Sequence, residues 1–427
     1  ITEAGRLEAS SSNVAEAEID LDIDQRGFSW ISKTSVKPAK QFATGFRGSL
    51  SAYQSIARPL HYCFRLAGFP LAQEPPPWPL RPADFKQKPT IGIFEEPAEM
   101  GSLRRQKADK LKMLLAQEGS KLNCLVYHFS LPDLRGGKKI EGWYYDQEQK
   151  KWLSKTFPWP RVFYDRATFL RTADKKLAKQ FRKSLKQANT TLLLNSRSVF
   201  GKGFTSEILA RIPLLSRHLP FNLINPSPDR VKEMLTEYNS IFVKTEYGSN
   251  LSGVMKISRL NKGYLFSDKY ENKRFSSFKQ LWTRIKKEIK TDPYVAQQAI
   301  NPVRYESYPF NVRTIVQKNG DGLWEVSLVK PWVATSPNTR GRPLQWAESA
   351  ADLFTDGADK VRDEICRISL IAAKALEAHT GHLGELGIDL VIDSGAQPWI
   401  IEVNGKTNKY FFIKDDNLNK HYKLFYN

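Results

Sequence analysis

"GELGIDLVIDSGAQPWIIEVNGK", Gly384 to Lys406, decides how this chain is read. Two alternating runs flank a turn of Asp393, Ser394 and Gly395, which is β-hairpin chemistry. In a strand, residues two apart share a face, so Glu402 and Asn404 point together while Ile401 and Val403 point the other way. If Val391 or Ile392 sits near Trp399 to Ile401, Asp389 faces Glu402 or Asn404 with Cβ atoms roughly 5 Å apart. Two adjacent carboxylates repel unless a cation or proton lies between them, and all-oxygen donors favour Mg²⁺ or Mn²⁺ over Zn²⁺. Magnesium held by few protein groups completes its shell with water and phosphate, which points to a nucleotide. A polar strand face turned to solvent would carry the same residues, so the hairpin needs a second element with matching chemistry.

That element is "IFVKTEYGSNLSGVMKI", Ile241 to Ile257. Lys244 ends a strand and precedes a loop in which Gly248 and Gly253 bracket Ser249, Asn250 and Ser252. Glycines let backbone N–H groups approach an anion, hydroxyls add donors, and the lysine adds charge. The spacing is not GxxxxGK[ST] and a strand follows the loop, so this is not a P-loop.

The rest of the chain bounds the alternatives. A length of 427 residues allows two or three compact units. No apolar run reaches the ~18 residues of a membrane span, and nothing at the start reads as a signal peptide. The first residue is Ile1 rather than Met, which reads as a fragment, a processed end or a misplaced boundary. Cys63, Cys124 and Cys366 are far apart with no CxxC spacing, against a disulfide framework or structural zinc, and a reducing, cytoplasmic setting is the default. The formal charge of +20 concentrates between Gly101 and Thr190, with 21 Lys and Arg against 8 Asp and Glu. This excess suits an anionic partner of the N-terminal domain or an acidic substrate. Solvated amphipathic helices explain "RRQKADKLK" and "DKKLAKQFRKSLK" equally, and with no stacking or helix-in-groove motif, nucleic acid is the weakest reading.

Residues 1–88, polar and acidic at first and ending in "EPPPWPLRP", read as a poorly ordered or peripheral segment with a stiff Pro-rich linker. "PTIGIFEEP" is then a strand, "RRQKADKLKMLLAQEG" a helix, "NCLVYHFS" a strand, "GGKKIEGWYYDQEQKKWLSKTFPWP" an aromatic hairpin and "RVFYDR" another strand, giving an α/β unit over 89–195. Beyond it, "PDRVKEMLTEYN" and "SFKQLWTRIKKEIK" are helical, while "PYVAQQAI", "FNVRTIVQ" and "LWEVSLVKPWVAT" are strands. Ile365, Ile368, Ala372 and Leu376 mark the buried face of a long helix stopped by Gly381.

Together these stretches resemble the ATP-grasp superfamily, in which a lysine strand, a glycine loop, a hinge strand and a carboxylate hairpin ending in E-x-N occur in this order. More closely, "FVKTEYGSNLSG", "YVAQQAI", "FNVRTIVQKNGDGLWEV" and the opening hairpin look like the YheC/YheD family, the endospore coat-associated ATP-grasp proteins of spore-forming bacteria. The resemblance covers about 89–415. It implies an α/β (α+β ATP-grasp) fold: a basic N-terminal domain over 89–195, then subdomains over 196–303 and 304–427 holding ATP between antiparallel sheets. It implies Mg²⁺ (or Mn²⁺) on Asp389, Glu402 and Asn404, with Lys202 and Lys244 on the ATP phosphates under a lid of Gly248, Ser249, Asn250, Ser252 and Gly253. The hinge, Gln297 and Gln298 through Ile300, would read adenine through its backbone, Glu306 would meet ribose, and Arg313 would contact the transferred phosphate or an acid substrate. Lys244 and Arg313 would act in catalysis. The implied activity is ATP-dependent joining of an unidentified carboxylate to an amine through an acyl phosphate; a catalytically weak, nucleotide-binding coat or scaffold protein is the alternative. The chain departs from the family at Gly201, where Asp usually precedes the lysine, at Asn311 in place of the Asp of "FDIR", at Thr245 in place of Pro, and in "PRVFYDR" for "PDVVYNR".

Overall fold

The computed structural model describes residues 88–107, 110–167, 170–195, 200–247, 253–333, 342–354 and 357–407, with one two-residue ladder, Ile23–Asp24 against Gly27–Phe28. The expectation for residues 1–88 thus falls almost wholly outside the described residues. The described residues from Lys88 to Thr407 lie in one unit, and its strands belong to three sheets.

The first sheet begins with β1 (Thr90–Phe94), whose residues after Thr90 are all buried. Strands buried on both faces read as continuous apolar runs because a parallel sheet is covered from both sides. β1 pairs in parallel with β2 (Leu125–Phe129) and with β6 (Val162–Asp165), and β6 pairs in parallel with β7 (Leu192–Leu194). β3 (Leu134–Arg135) and the hairpin of β4 (Lys139–Asp146) and β5 (Lys151–Pro158) add an antiparallel edge beside β2. Helix α3 (Thr172–Ala188) sets Ala178, Phe181 and Leu185 into an aromatic cluster with Phe94, Phe129 and Phe163 and leaves its lysines outside.

The single helix expected over Arg104–Gly119 is instead two, α1 (Pro97–Arg104) and α2 (Lys110–Lys121). Gln106 takes a left-handed φ of 60°, and its side chain bonds both Trp152 O and Trp152 N at 2.8 Å. Bonding to the aromatic hairpin competes with helix continuation, a contact that local propensity does not contain.

The second sheet is antiparallel throughout, in the order β8 (Asn222–Ile224), β13 (Tyr294–Gln298), β9 (Ser240–Thr245), β10 (Val254–Arg259), β11 (Tyr264–Ser267), β12 (Asn272–Phe275). Helix α4 (Lys202–Ala210) precedes it. Helices α5 (Pro228–Tyr238) and α6 (Phe278–Ile289) cover one face through Val231, Leu235, Leu281 and Ile285. Ser227 and Ser277 cap their first turns, each accepting from a backbone N–H three residues on.

The third sheet runs β17 (Arg342–Pro343), β16 (Trp324–Val333), β15 (Tyr308–Lys318), β18 (Glu385–Ile392), β19 (Pro398–Asn404), with β14 (Arg304–Tyr305) also on β15. Helix α7 (Ala358–Thr380) packs Ile365, Ile368, Ala372 and Leu376 onto its back and ends at Gly381, whose φ is 84°. Each buried Ile or Leu of that face is worth about 1.5–3 kcal/mol in removed apolar area. The opposite face of the sheet is left for polar side chains.

Candidate functional site: a nucleotide and metal cleft

The hairpin has the register its sequence suggests: Val391 opposes Trp399 and Asp389 opposes Glu402. Between these pairs the register slips, because Leu390 opposes Ile400 and Ile401 has no opposite residue. This is a β-bulge. It corrects the simple alternation: Ile400 and Val403 enter the core, whereas Ile401 stays half-buried beside Glu402, and both line the cleft. Ile400 N also donates to His218 O at 2.8 Å, which ties the outer edge of β19 just before the bulge.

Around Asp389 the groups converge. Arg313, its cross-strand neighbour on β15, donates from Nε and Nη2 to the two carboxylate oxygens at 2.6 and 2.5 Å. Asn404 Nδ2 donates to Asp389 Oδ2 at 3.1 Å. Glu402 lies with Oε1 3.7 Å from Lys202 Nζ. Among the described residues no three His, Cys, Asp or Glu stand together; the donor set is two carboxylates and an amide. Two opposed carboxylates and an amide are hard oxygen donors of the kind a divalent cation takes, and here Arg313 and Lys202 lie on the carboxylates, so a cation would share Asp389 and Glu402 with them. A carboxylate has about four lone-pair sites, so Arg313 does not exhaust Asp389.

The second sheet supplies the facing wall. Ile241 and Val243 point into the core, so Lys244 points to the other face, yet it is 7% exposed because that face is covered too. Its Nζ donates to Gln297 Oε1 at 2.5 Å. Burial lowers its pKa to about 8, opposed by the Glu402 and Asp389 carboxylates and reinforced by Lys202. Lys202, Lys244, Arg313, Asp389, Glu402 and Asn404, spread over two hundred positions of chain, therefore meet in one cleft.

Lys202 opens α4, and the helix start explains the departure at Gly201. Glu246, just past β9, accepts from Gly203 N at 2.8 Å and Phe204 N at 3.4 Å. A carboxylate on first-turn N–H groups is favoured by their unpaired donors and by the helix dipole. A Cβ at position 201 would lie 2.1 Å from Glu246 Oε1. The carboxylate that the family usually carries before the lysine is here delivered from across the chain.

Other expected residues fall differently. Gly248, Ser249, Asn250 and Ser252 lie outside the described residues; Gly253 is described, with φ 69° where a Cβ would meet Thr245 Oγ1 at 2.4 Å. Within the hinge, Gln297 presents its side chain to Lys244 rather than only its backbone. The amides of Gln298 and Ala299 donate to Phe221 O (2.8 Å) and Ser240 O (3.1 Å), so these two hinge N–H groups are already bonded within the sheet region. Glu306 sits in the exposed tip between β14 and β15, at φ 48°, with its carboxylate bonded to Arg342.

Several residues of this region were not legible. Lys406, two past Asn404, donates to Asp165 Oδ1 and to Ala167 O at 2.6 Å each. Arg182 also holds Asp165 through Nε (2.6 Å) and Nη2 (3.2 Å). Asn195 donates from Nδ2 to Glu385 O (2.8 Å) and Gly405 O (2.6 Å) and accepts from Gly384 N (2.7 Å). Tyr164 and Arg166 bond Glu385 at 2.6 and 3.2 Å. The only sequence signal was charge inside otherwise apolar strands: "FYDR" and the lysine of "VNGK".

A strand lysine set across a cleft from an antiparallel sheet that ends in a carboxylate hairpin is the arrangement of an ATP-grasp protein. A profile of the family "YheC/D like ATP-grasp" matches residues 190–427, more than half of the chain, and the chain belongs to that family. Among curated relatives, the endospore coat-associated protein YheD of Bacillus subtilis is 23% identical over 338 residues, covering 76% of this chain and 74% of YheD. The endospore coat-associated protein YheC of the same organism is 20% identical over 324 residues, covering 73% of this chain and 89% of YheC. Among solved structures, D-alanyl-alanine synthetase A from Vibrio cholerae matches 75% of this chain and 90% of its own at 14% identity, with a TM-score of 0.46. Among the described residues no helix is long and apolar enough to cross a membrane.

Proposed function

We propose that the protein binds Mg-ATP in this cleft and uses it to join a carboxylate to an amine. The observation that carries the reading is the meeting of Lys202, Lys244 and Arg313 with the opposed Asp389–Glu402 pair. Lys202, Lys244 and Arg313 would offset the triphosphate, and Asp389, Glu402 and Asn404 would hold the metal, which would supply further charge neutralisation at the phosphates. A substrate carboxylate oxygen would attack the γ-phosphorus, the bond to ADP would break, and an acyl phosphate would form beside Arg313. Amine nitrogen would then attack the acyl carbon, phosphate would leave, and the amine would lose a proton. No side-chain nucleophile is required, since positioning and charge neutralisation supply the catalysis. The domain boundaries at 195/196 and 303/304 belong to this proposal, supported by the division of strands among the three sheets.

Calorimetric titration with ATP and Mg²⁺, beside a Glu402→Ala, Asn404→Ala double variant, tests the binding half. Micromolar, Mg²⁺-dependent affinity that collapses in the variant is expected. No binding by the folded wild type would remove the reading. Phosphate release in single turnovers with candidate acids and amines tests the ligation half.

One observation favours the second reading, a nucleotide-binding scaffold of the spore coat, as the relatives' names suggest. Lys175, Lys176, Lys179, Lys183 and Lys186 are all exposed along α3, a surface suited to an anionic partner. A scaffold would bind ATP without releasing phosphate whatever substrate is added. Its retention on a polyanion would fall on changing three of these lysines to glutamate.

A further inference from the structure

On the polar face of the third sheet the charges run in an order that a nucleotide does not use up. Lys330, Arg313, Asp389 and Glu402 stand directly opposite one another in turn on β16, β15, β18 and β19. Phe310, Val312 and Val333 enter the core, so this row lies on the other face, toward the cleft. Lys202 meets Glu402 at one end of it, and in the middle Asp389 takes both donors of the Arg313 fork. At the other end two cations are neighbours. Like charges directly opposite on a strand pair repel, and Lys330 is 5% exposed, so its ammonium has also given up most of its water. The next pair along the face, Asn311 opposite Trp332, carries no charge, and Asn311 Nδ2 donates to Pro309 O at 3.0 Å. Along the row, then, the outer end sets two cations against the single carboxylate of Asp389. Arg313 keeps 26% of its side chain exposed, and Asn311 and Trp332 are half-buried, which leaves an approach for a small anion.

We infer that this outer end takes the acid substrate and that the acid is a dicarboxylate, with one carboxylate beside Arg313, where it is phosphorylated, and the second on Lys330. The inference rests on the Mg-ATP ligase reading above and names a substrate class for it. Lys202 and Lys244 draw the triphosphate to the opposite end of the row, so the acid has the Lys330 end to itself. A monoacid would set an apolar tail against the Lys330 ammonium, which would then lack hydration and gain no counter-charge from its ligand. A second carboxylate supplies that charge and relieves the repulsion between Lys330 and Arg313. Neighbouring strands lie about 4.8 Å apart, a span that two or three methylenes between the carboxyl groups cover, and Trp332 offers those methylenes an apolar surface. Lys330 is thus the specificity residue for the acid.

The test is thermal melting of the full chain with Mg²⁺ and the non-hydrolysable β,γ-imido analogue of ATP, titrated at fixed ionic strength with glutarate or pentanoate and with succinate or butanoate. Each pair differs by a carboxylate in place of a methyl, and the concentration dependence of the shift gives the dissociation constants. Wild type should bind the diacids tighter by about tenfold or more, the scale of one charged contact. Lys330→Met should bring the ratio to within about twofold of unity, and Lys330→Arg should retain most of the preference. Asn311→Asp adds a competing carboxylate on the same face without touching Lys330, and should narrow the ratio severalfold even if Lys330→Met does not fold. A wild type that binds Mg²⁺ and the analogue but treats diacid and monoacid alike, or takes up neither, overturns the assignment and leaves the nucleotide reading standing. An unchanged ratio in folded Lys330→Met also overturns it, and failure of the wild type to bind the nucleotide overturns both readings.

Discussion

Strand β18 carries two carboxylates four residues apart on the same face, and they have opposite lives. Glu385 is enclosed: Tyr164, Arg166 and Gln317 all bond it, and its side chain is 1% exposed. Asp389 is held by Arg313 and Asn404, yet 17% of its side chain remains exposed, toward the cleft. A strand face cannot distinguish the two, since residues i and i+4 point alike. The elements laid over the face do so. The first sheet, through the ends of β6, closes over Glu385, while the opposing wall of the second sheet leaves room at Asp389 and Glu402. One carboxylate belongs to the architecture and the other to chemistry.

This contrast can be broken most forcefully at the architectural end. Glu385→Ala leaves Arg166 buried without its carboxylate and should cost about 3–5 kcal/mol of stability, read from denaturant midpoints; a change under about 1 kcal/mol would mean that Glu385 does not lock the sheets. At the chemical end, Glu402→Gln should weaken Mg-ATP by about 30- to 100-fold, the scale of losing a charged contact of 2–3 kcal/mol. Its melting temperature should barely move, and a large drop would put Glu402 in the same class as Glu385.

The α4 cap offers a middle case. Glu246→Ala should cost about 1–2 kcal/mol in stability, and ATP affinity should fall with it because Lys202 starts the helix that loosens. An affinity unchanged in a measurably destabilised variant would separate Lys202 from its cap. Gly201→Asp in that background, returning the carboxylate to the family's usual place, should recover part of both losses.

The smallest effect is in pH. With Lys244 titrating at about 8, its ammonium is present below that pH, so Mg-ATP affinity should decline severalfold as pH climbs from 7 to 9. Stability of the nucleotide-free protein should respond with the opposite sign. The folded pKa lies below the unfolded value of about 10.4, so the unfolded chain binds more protons between about 8 and 10, and this lysine's contribution to stability rises through that window. Lys244→Met should flatten both profiles.

Much of this site could be read from sequence because its decisive part is local. That Asp389 and Glu402 lie on adjoining strands follows from the hairpin turn, although their direct opposition depends on the bulge at Ile401 that alternation does not predict, and α7 follows from the spacing of Ile365, Ile368, Ala372 and Leu376. What escaped were bonds between residues far apart in the chain. The break at Gln106 depends on Trp152, the cap of α4 depends on Glu246, and the anchoring of Lys406 depends on Asp165. None leaves a periodic trace; each is a polar residue whose partner is chosen by tertiary placement. The departures from family pattern at Gly201 and in "PRVFYDR" were visible, but only the structure gives them a reason, in the space that Glu246 fills and in the ion pair that Asp165 makes.

Ile401 is one residue more than the pairing of β19 with β18 needs. It acts as a one-letter frameshift in the alternation of β19: before it, even-numbered side chains face the core, and after it odd-numbered ones do. Removing Ile401 would leave one uninterrupted rhythm, with Ile400 and Val403 still in the core and Glu402 still opposite Asp389. The unpaired beat therefore does not aim the carboxylate; it adds a second side chain, that of Ile401, to the cleft wall beside it.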